Sequence, residues 1–158
     1  MRLYLLRHGH AEDTGTGTDH DRVLTAEGIT RLNTAAKVMR RLRIKPAILF
    51  SSPRVRALQT AEIVADALGV EIQIREEVNF GFDAQAVRRL IRDLNDSEEV
   101  MFVGHEPSFS VTVHRLTGAD IEMKKGGLVR IDLTDHHTPG GVLVWLLAPS
   151  VFAALDNV

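Results

Sequence analysis

Apolar residues recur along this chain in two rhythms. Residues 3–6, 47–50 and 100–103 are short runs that are apolar at every position. Such runs predict strands covered on both faces. Between them the apolar positions take helical spacing. Leu32, Ala35, Ala36, Met39 and Leu42 form one stripe on a helix that Thr25 caps and that runs to about Leu42. Pro46 breaks the chain. Leu58, Ala61, Ala65 and Leu68 mark a second helix, opened by Ser52-Pro53 as N-cap and first helical residue and stopped by Gly69. Residues 70–74 alternate as a short strand. Residues 83–94 carry Val87, Leu90, Ile91 and Leu94 at helical spacing, and Pro107 opens a helix with Phe109, Val113 and Leu116. Residues 128–133 and 142–147 flank a turn at 135–141 and predict a closing hairpin. Residues 12–22 are polar and aperiodic, a loop. No repeat, linker or low-complexity tract interrupts this order.

Strands alternating with helices predict an α/β fold, a three-layer α/β/α sandwich whose mostly parallel sheet is made mixed by the late hairpin. In open sheets of this kind ligands bind beyond the carboxyl ends of the strands. Three predicted strands end in polar residues: Arg7-His8-Gly9, Ser51-Ser52-Pro53-Arg54 and Gly104-His105-Glu106-Pro107. Their equivalent positions predict one shared site. His8 as a neutral imidazole is a nucleophile, and the ordinary histidine pKa of about 6.5 leaves it neutral near pH 7. Arg7 and Arg56 present planar forks that match phosphate oxygens and never lose their charge. Arg56 falls on the first turn of its helix, whose end adds unpaired N–H groups. His105, if protonated, would add a charge-assisted donor. Together these groups suit phosphoryl transfer by preorganised electrostatics, with no metal and no cofactor expected.

Composition narrows the setting. A chain of 158 residues and 17.5 kDa favours one domain over residues 1–158. A net charge of −2 gives no basic field for nucleic acid. The absence of cysteine excludes a disulfide scaffold, a thiolate nucleophile and a cysteine zinc site. No apolar run reaches the roughly 18 residues a membrane helix needs, and the N-terminus does not read as a signal peptide, so a cytoplasmic protein without membrane contact is expected. His8, His10, Glu12, Asp13, His20 and Asp21 form a polar N-terminal cluster, and His136-His137 a pair. Without HExxH or another helical ligand spacing, solvated loops account for them better than a metal. His114, on a helix, reads as a surface or packed residue.

The motifs carry a resemblance. Leu6-Arg7-His8-Gly9-His10-Ala11 resembles the LRHG signature of the histidine phosphatase superfamily, the phosphoglycerate mutase-like phosphatases. Leu24-Thr25-Ala26-Glu27-Gly28 is similar to its LTxxG element, residues 52–61 to its SPxxRAxQTA motif, and Val103-Gly104-His105-Glu106-Pro107 to its V-GHxP motif. The four occur in the family's order; the C-terminal third matches only weakly, around Lys125-Gly126-Gly127. The resemblance implies a phosphohistidine intermediate on His8 and phosphate binding by Arg7, Arg56 and His105, with Arg54 peripheral. It places the general acid at Glu77, with Glu76 its solvated neighbour. Glu106 departs from the small polar residue often found there; it either disfavours highly charged ligands or caps the helix at Pro107. Residues 60–103 leave no room for a large lid, and size and motif spelling resemble the small SixA-type phosphohistidine phosphatases. That implies a phosphorylated protein, a histidine phosphotransfer domain, as substrate. The alternatives are a small broad-specificity phosphomonoesterase acting on metabolites or phosphoserine peptides, and a non-catalytic phosphate-binding module.

Overall fold

The three apolar runs lie side by side at the centre of one sheet. The computed structural model describes residues 1–135 and 140–158; the middle of the predicted hairpin turn and His136-His137 lie outside the described residues. The strands are β1 (Arg2–Arg7), β2 (Ile48–Ser51), β3 (Ile72–Ile74), β4 (Glu99–Gly104), β5 (Leu128–Asp135) and β6 (Gly140–Leu147), and the helices α1 (Ala26–Arg41), α2 (Val55–Leu68), α3 (Ala84–Ile91), α4 (Ser108–Thr117) and α5 (Pro149–Asp156). The sheet order is β3-β2-β4-β1-β5-β6. The first four strands in that order run parallel, while β5 and β6 are antiparallel additions. This is the mixed α/β sandwich expected.

Side-chain alternation builds two cores. Leu3 and Leu5 of β1 face a cluster with Phe102, Val87 of α3 and Val113 of α4. Tyr4 and Leu6 face the opposite cluster, with Ala36 and Met39 of α1, Ala61 of α2 and Phe152 of α5. Contiguous apolar runs follow from this, because each strand needs apolar residues on both faces. Among the described residues no helix is long and apolar enough to cross a membrane.

Two expectations need correction. Helix α2 starts at Val55 with Arg54 as its N-cap, not at Pro53. Ser52 lies two residues before that cap: its hydroxyl accepts Arg54 N–H at 3.3 Å and also pairs with His105, and its own N–H donates to Val103 O at 3.0 Å. Helix α5, unforeseen from the pattern, buries mainly Phe152, too little periodicity to signal it. Residues 19–21 and 76–78 also form short 3₁₀ turns inside segments read as loops.

Register positions the site. Arg7 pairs with Gly104, and Val103 pairs with both Leu6 and Ser51. The residues that follow, His8, His105 and Ser52, therefore leave adjacent strands at one level. Phe102 supports this level from beneath, fully buried against Phe50 and Phe82 at ring separations of 5.3 and 5.1 Å. Phe102→Ala should lower stability by about 3–5 kcal/mol, the usual cost of an aromatic-sized cavity. Urea or thermal unfolding of the variant against wild type measures it.

Candidate active site

His8 is 5% exposed, and its two ring nitrogens have unambiguous partners. Nδ1 lies 2.8 Å from Gly9 O, an acceptor only, and Arg56 Nε donates to Nε2 at 3.3 Å. These partners assign the tautomer: the proton sits on Nδ1, and Nε2 directs a lone pair at the Arg56 guanidinium. Burial pushes the His8 pKa down to about 4, opposed by the Gly9 carbonyl and reinforced by the charges of Arg56, Arg7 and Lys125.

His105 stands beside it, with ring centroids 5.3 Å apart. Its Nε2 is 2.7 Å from Ser52 Oγ, while its buried Nδ1 has no hydrogen-bond partner among the described residues. Burial, and then the neighbouring His8 and Arg56, push its pKa down to about 3. Burial thus favours the neutral ring over the protonated form in which His105 would add a charge-assisted donor.

The other motif positions hold these groups in place. Thr60 donates to Arg56 O at 2.7 Å and accepts Gly9 N–H at 3.1 Å, tying α2 to the loop after β1. Gln59 accepts Leu24 N–H at 2.8 Å. Thr25 caps α1 by accepting Gly28 N–H at 3.0 Å, and its own N–H donates to His10 O. A Cβ on Gly28 would sit 2.3 Å from His10 O, so only glycine permits that approach. Arg7 Nη1 donates to Met123 O at 2.6 Å, and Gly126 N–H reaches the carbonyls of Arg7 and His8.

Residues 3–81 match the family model of the histidine phosphatase superfamily (branch 1). The chain belongs to that superfamily, whose members are phosphatases. An uncharacterized protein of Picosynechococcus sp. strain PCC 7002 is 31% identical over 139 residues, 82% of this chain and 83% of that one. A structure of the protein histidine phosphatase SixA complexed with tungstate superposes with a TM-score of 0.84 at 24% identity, covering 95% of this chain and 98% of that one. A structure from Agrobacterium tumefaciens described under the SixA name gives 0.78 at 26% identity, over 94% and 97% of the two chains.

This histidine phosphatase brings Arg7, His8, Arg56 and His105 to one end of the sheet, as three motifs at equivalent strand ends require. Glu77 is exposed in the turn 76–78, and among the described residues no hydrogen bond or ion pair joins it to either histidine. Glu106 turns to α4, accepting Ser110 N–H at 2.8 Å and the Ser110 hydroxyl as a helix cap does, while its charge still acts on Arg7. His114 lies on the surface, paired with Asp120 at 2.9 Å. Among the described residues no group of three or more His, Cys, Asp and Glu comes together as a metal site would need.

Two contributors escaped the sequence reading. Asp19 accepts from Arg22 at 3.1 Å, Arg54 at 2.7 Å and Arg56 at 3.2 Å, and its carbonyl takes Arg56 Nη1 at 2.8 Å. Burial works against its charge, but the Arg22 hydrogen bond and the Arg56 and Arg54 cations keep its pKa below the ordinary value. Phe80, 54% exposed, packs its edge on His105 at 4.9 Å and stacks under Arg54 at 3.9 Å. Its only early signal was an aromatic in a Gly-flanked loop.

A depressed histidine pKa has a defined sign for stability. Above pH 6.5 the rings are neutral folded and unfolded, so nothing is lost. Below 6.5 the unfolded rings take protons that the folded ones refuse, so stability falls with pH until His8 and then His105 titrate near 4 and 3. Thermal melts from pH 8 to pH 4 should show this decline. His105→Asn should flatten it relative to its own value at pH 8.

Proposed function

We propose that the chain is a metal-independent phosphatase that removes phosphate from phosphohistidine of a signalling protein, through a phosphoryl group carried on His8. The observation that carries this reading is the His8 tautomer, whose Nε2 lone pair is held neutral and aimed into a cluster of cationic donors. In the first step Nε2 attacks phosphorus, the Nε2–P bond forms and the substrate P–N bond breaks. In the second, water attacks phosphorus, releases inorganic phosphate and returns the lone pair to Nε2. Arg7 and Arg56 neutralise the oxygens of the transferring group, and His105 donates through a ring N–H. An approaching dianion raises the affinity of His105 for a second proton.

The leaving group supports a nitrogen substrate. An imidazole protonated on its distal nitrogen departs neutral and needs no acid, whereas an alkoxide does. Glu77, exposed and without a hydrogen bond or ion pair to either histidine among the described residues, is the acid that oxygen esters would have to use. The open mouth supports a protein substrate. Between α2 and β4 the chain inserts only β3, a 3₁₀ turn and α3, without a large lid. The likeness to SixA structures supports the same choice.

Wild type should hydrolyse a phosphohistidine protein faster than a phosphoserine peptide and form an acid-labile phosphoenzyme on rapid quench. His8→Ala should abolish both turnover and labelling. Arg56→Ala should lower the rate by on the order of 10²–10³, as deletion of a transition-state donor does. A labelled enzyme after His8→Ala, or faster turnover of the phosphoserine peptide, contradicts the reading.

A further inference from the structure

A second feature adjoins the site through Arg7 and Gly9. It is a cleft of about 480 Å³ between the start of α1, the segment before β5 and the start of α5. That volume lies in the range of ligand clefts and exceeds what one phosphate fills. Its lining includes the cations Arg7, Arg31, Lys124 and Lys125 against one carboxylate, Glu122. The chain as a whole carries a formal charge of −2, so this concentration of positive charge is local.

The cations are available. Arg31 pairs with Glu27 one turn earlier on α1, with side chains 60% and 57% exposed. Lys124 pairs with Glu122 at 2.6 Å, with side chains 65% and 78% exposed. Exposed pairs of this kind contribute little and exchange partners readily. Lys125 makes no hydrogen bond or ion pair among the described residues. The apolar Leu32 and Pro149 share the lining and can carry the stems of long side chains. Across the site, the surface around Phe80, Phe82, Pro107 and Val111 is mainly apolar, so the two flanks differ in chemistry.

We propose that this cleft is an anion-accepting subsite, which binds acidic side chains of a protein substrate beside its phosphorylated residue. The proposal rests on the phosphoprotein reading above and adds to it the kind of sequence recognised. Carboxylates next to the phosphoryl group would meet Arg31 and Lys124 while the phosphoryl group meets His8. Clustered charge of one sign also speeds encounter with an acidic partner.

The test uses peptides identical except for flanks of Asp and Glu or of Asn and Gln, each in a phosphohistidine and a phosphoserine version, with p-nitrophenyl phosphate as a probe without flanks. Wild type should show on the order of tenfold higher kcat/KM on acidic flanks at low salt, shrinking above about 0.15 M salt as screening grows. The double variant R31E/K124E should lose that preference and keep its rate on p-nitrophenyl phosphate. The charge-matched control R89E/R92E, at the C-terminal end of α3 across the sheet, should keep both. No flank preference in wild type, a preference that survives R31E/K124E, or an equal loss on p-nitrophenyl phosphate overturns the proposal. Pyrophosphate inhibition that R31E/K124E weakens, with no inhibition by the unphosphorylated acidic peptide, assigns the cleft to a small polyanion and overturns it as well. Faster turnover of the phosphoserine peptides with the flank preference intact sinks the phosphohistidine reading while the acidic subsite stands.

Discussion

The site turns on one buried imidazole held between a carbonyl that can only accept and a guanidinium that can only donate. Gly9 O and Arg56 Nε leave His8 a single tautomer, with its proton on Nδ1 and its lone pair on Nε2. Burial then makes protonation costly, so a neutral ring persists at neutral pH beside two arginines. In water the same ring would be partly protonated and free to rotate. Here orientation, charge state and the neighbouring cations are settled before any substrate arrives, which is the physical content of preorganisation.

Strand pairing supplies this geometry. The parallel register that sets Arg7 against Gly104 also sets His8 beside His105, and the pairing of Ser51 with Val103 brings Ser52 to His105. Small residues and short hydroxyl side chains close the remaining distances. Gly28 admits the His10 carbonyl, and Thr60 joins Gly9 to Arg56 across two elements. The letters of each motif thus fall into two groups: those aimed at the anion, and those that bring backbone segments close enough to aim them.

The central strands and the four site residues could be read from sequence because buried parallel strands print unbroken apolar runs, and because their polar endings stand out against them. The parts that escaped have no such contrast. Asp19 sits in an aperiodic polar stretch, yet it joins Arg22, Arg54 and Arg56, contacts that depend on tertiary placement. Ser52 read as the helix cap because Ser-Pro is a common start, but Arg54 is the cap, and the Ser52 hydroxyl is shared between Arg54 N–H and His105. Helix α5 has eight residues with one deeply buried side chain, too short for periodicity to register.

The most direct measurement is a nitrogen NMR titration of the His8 imidazole in the full chain. The account predicts Nδ1 protonated and Nε2 bare at pH 7, with the ring taking its second proton only near pH 4. A proton on Nε2, or a midpoint near the ordinary 6.5, would contradict it.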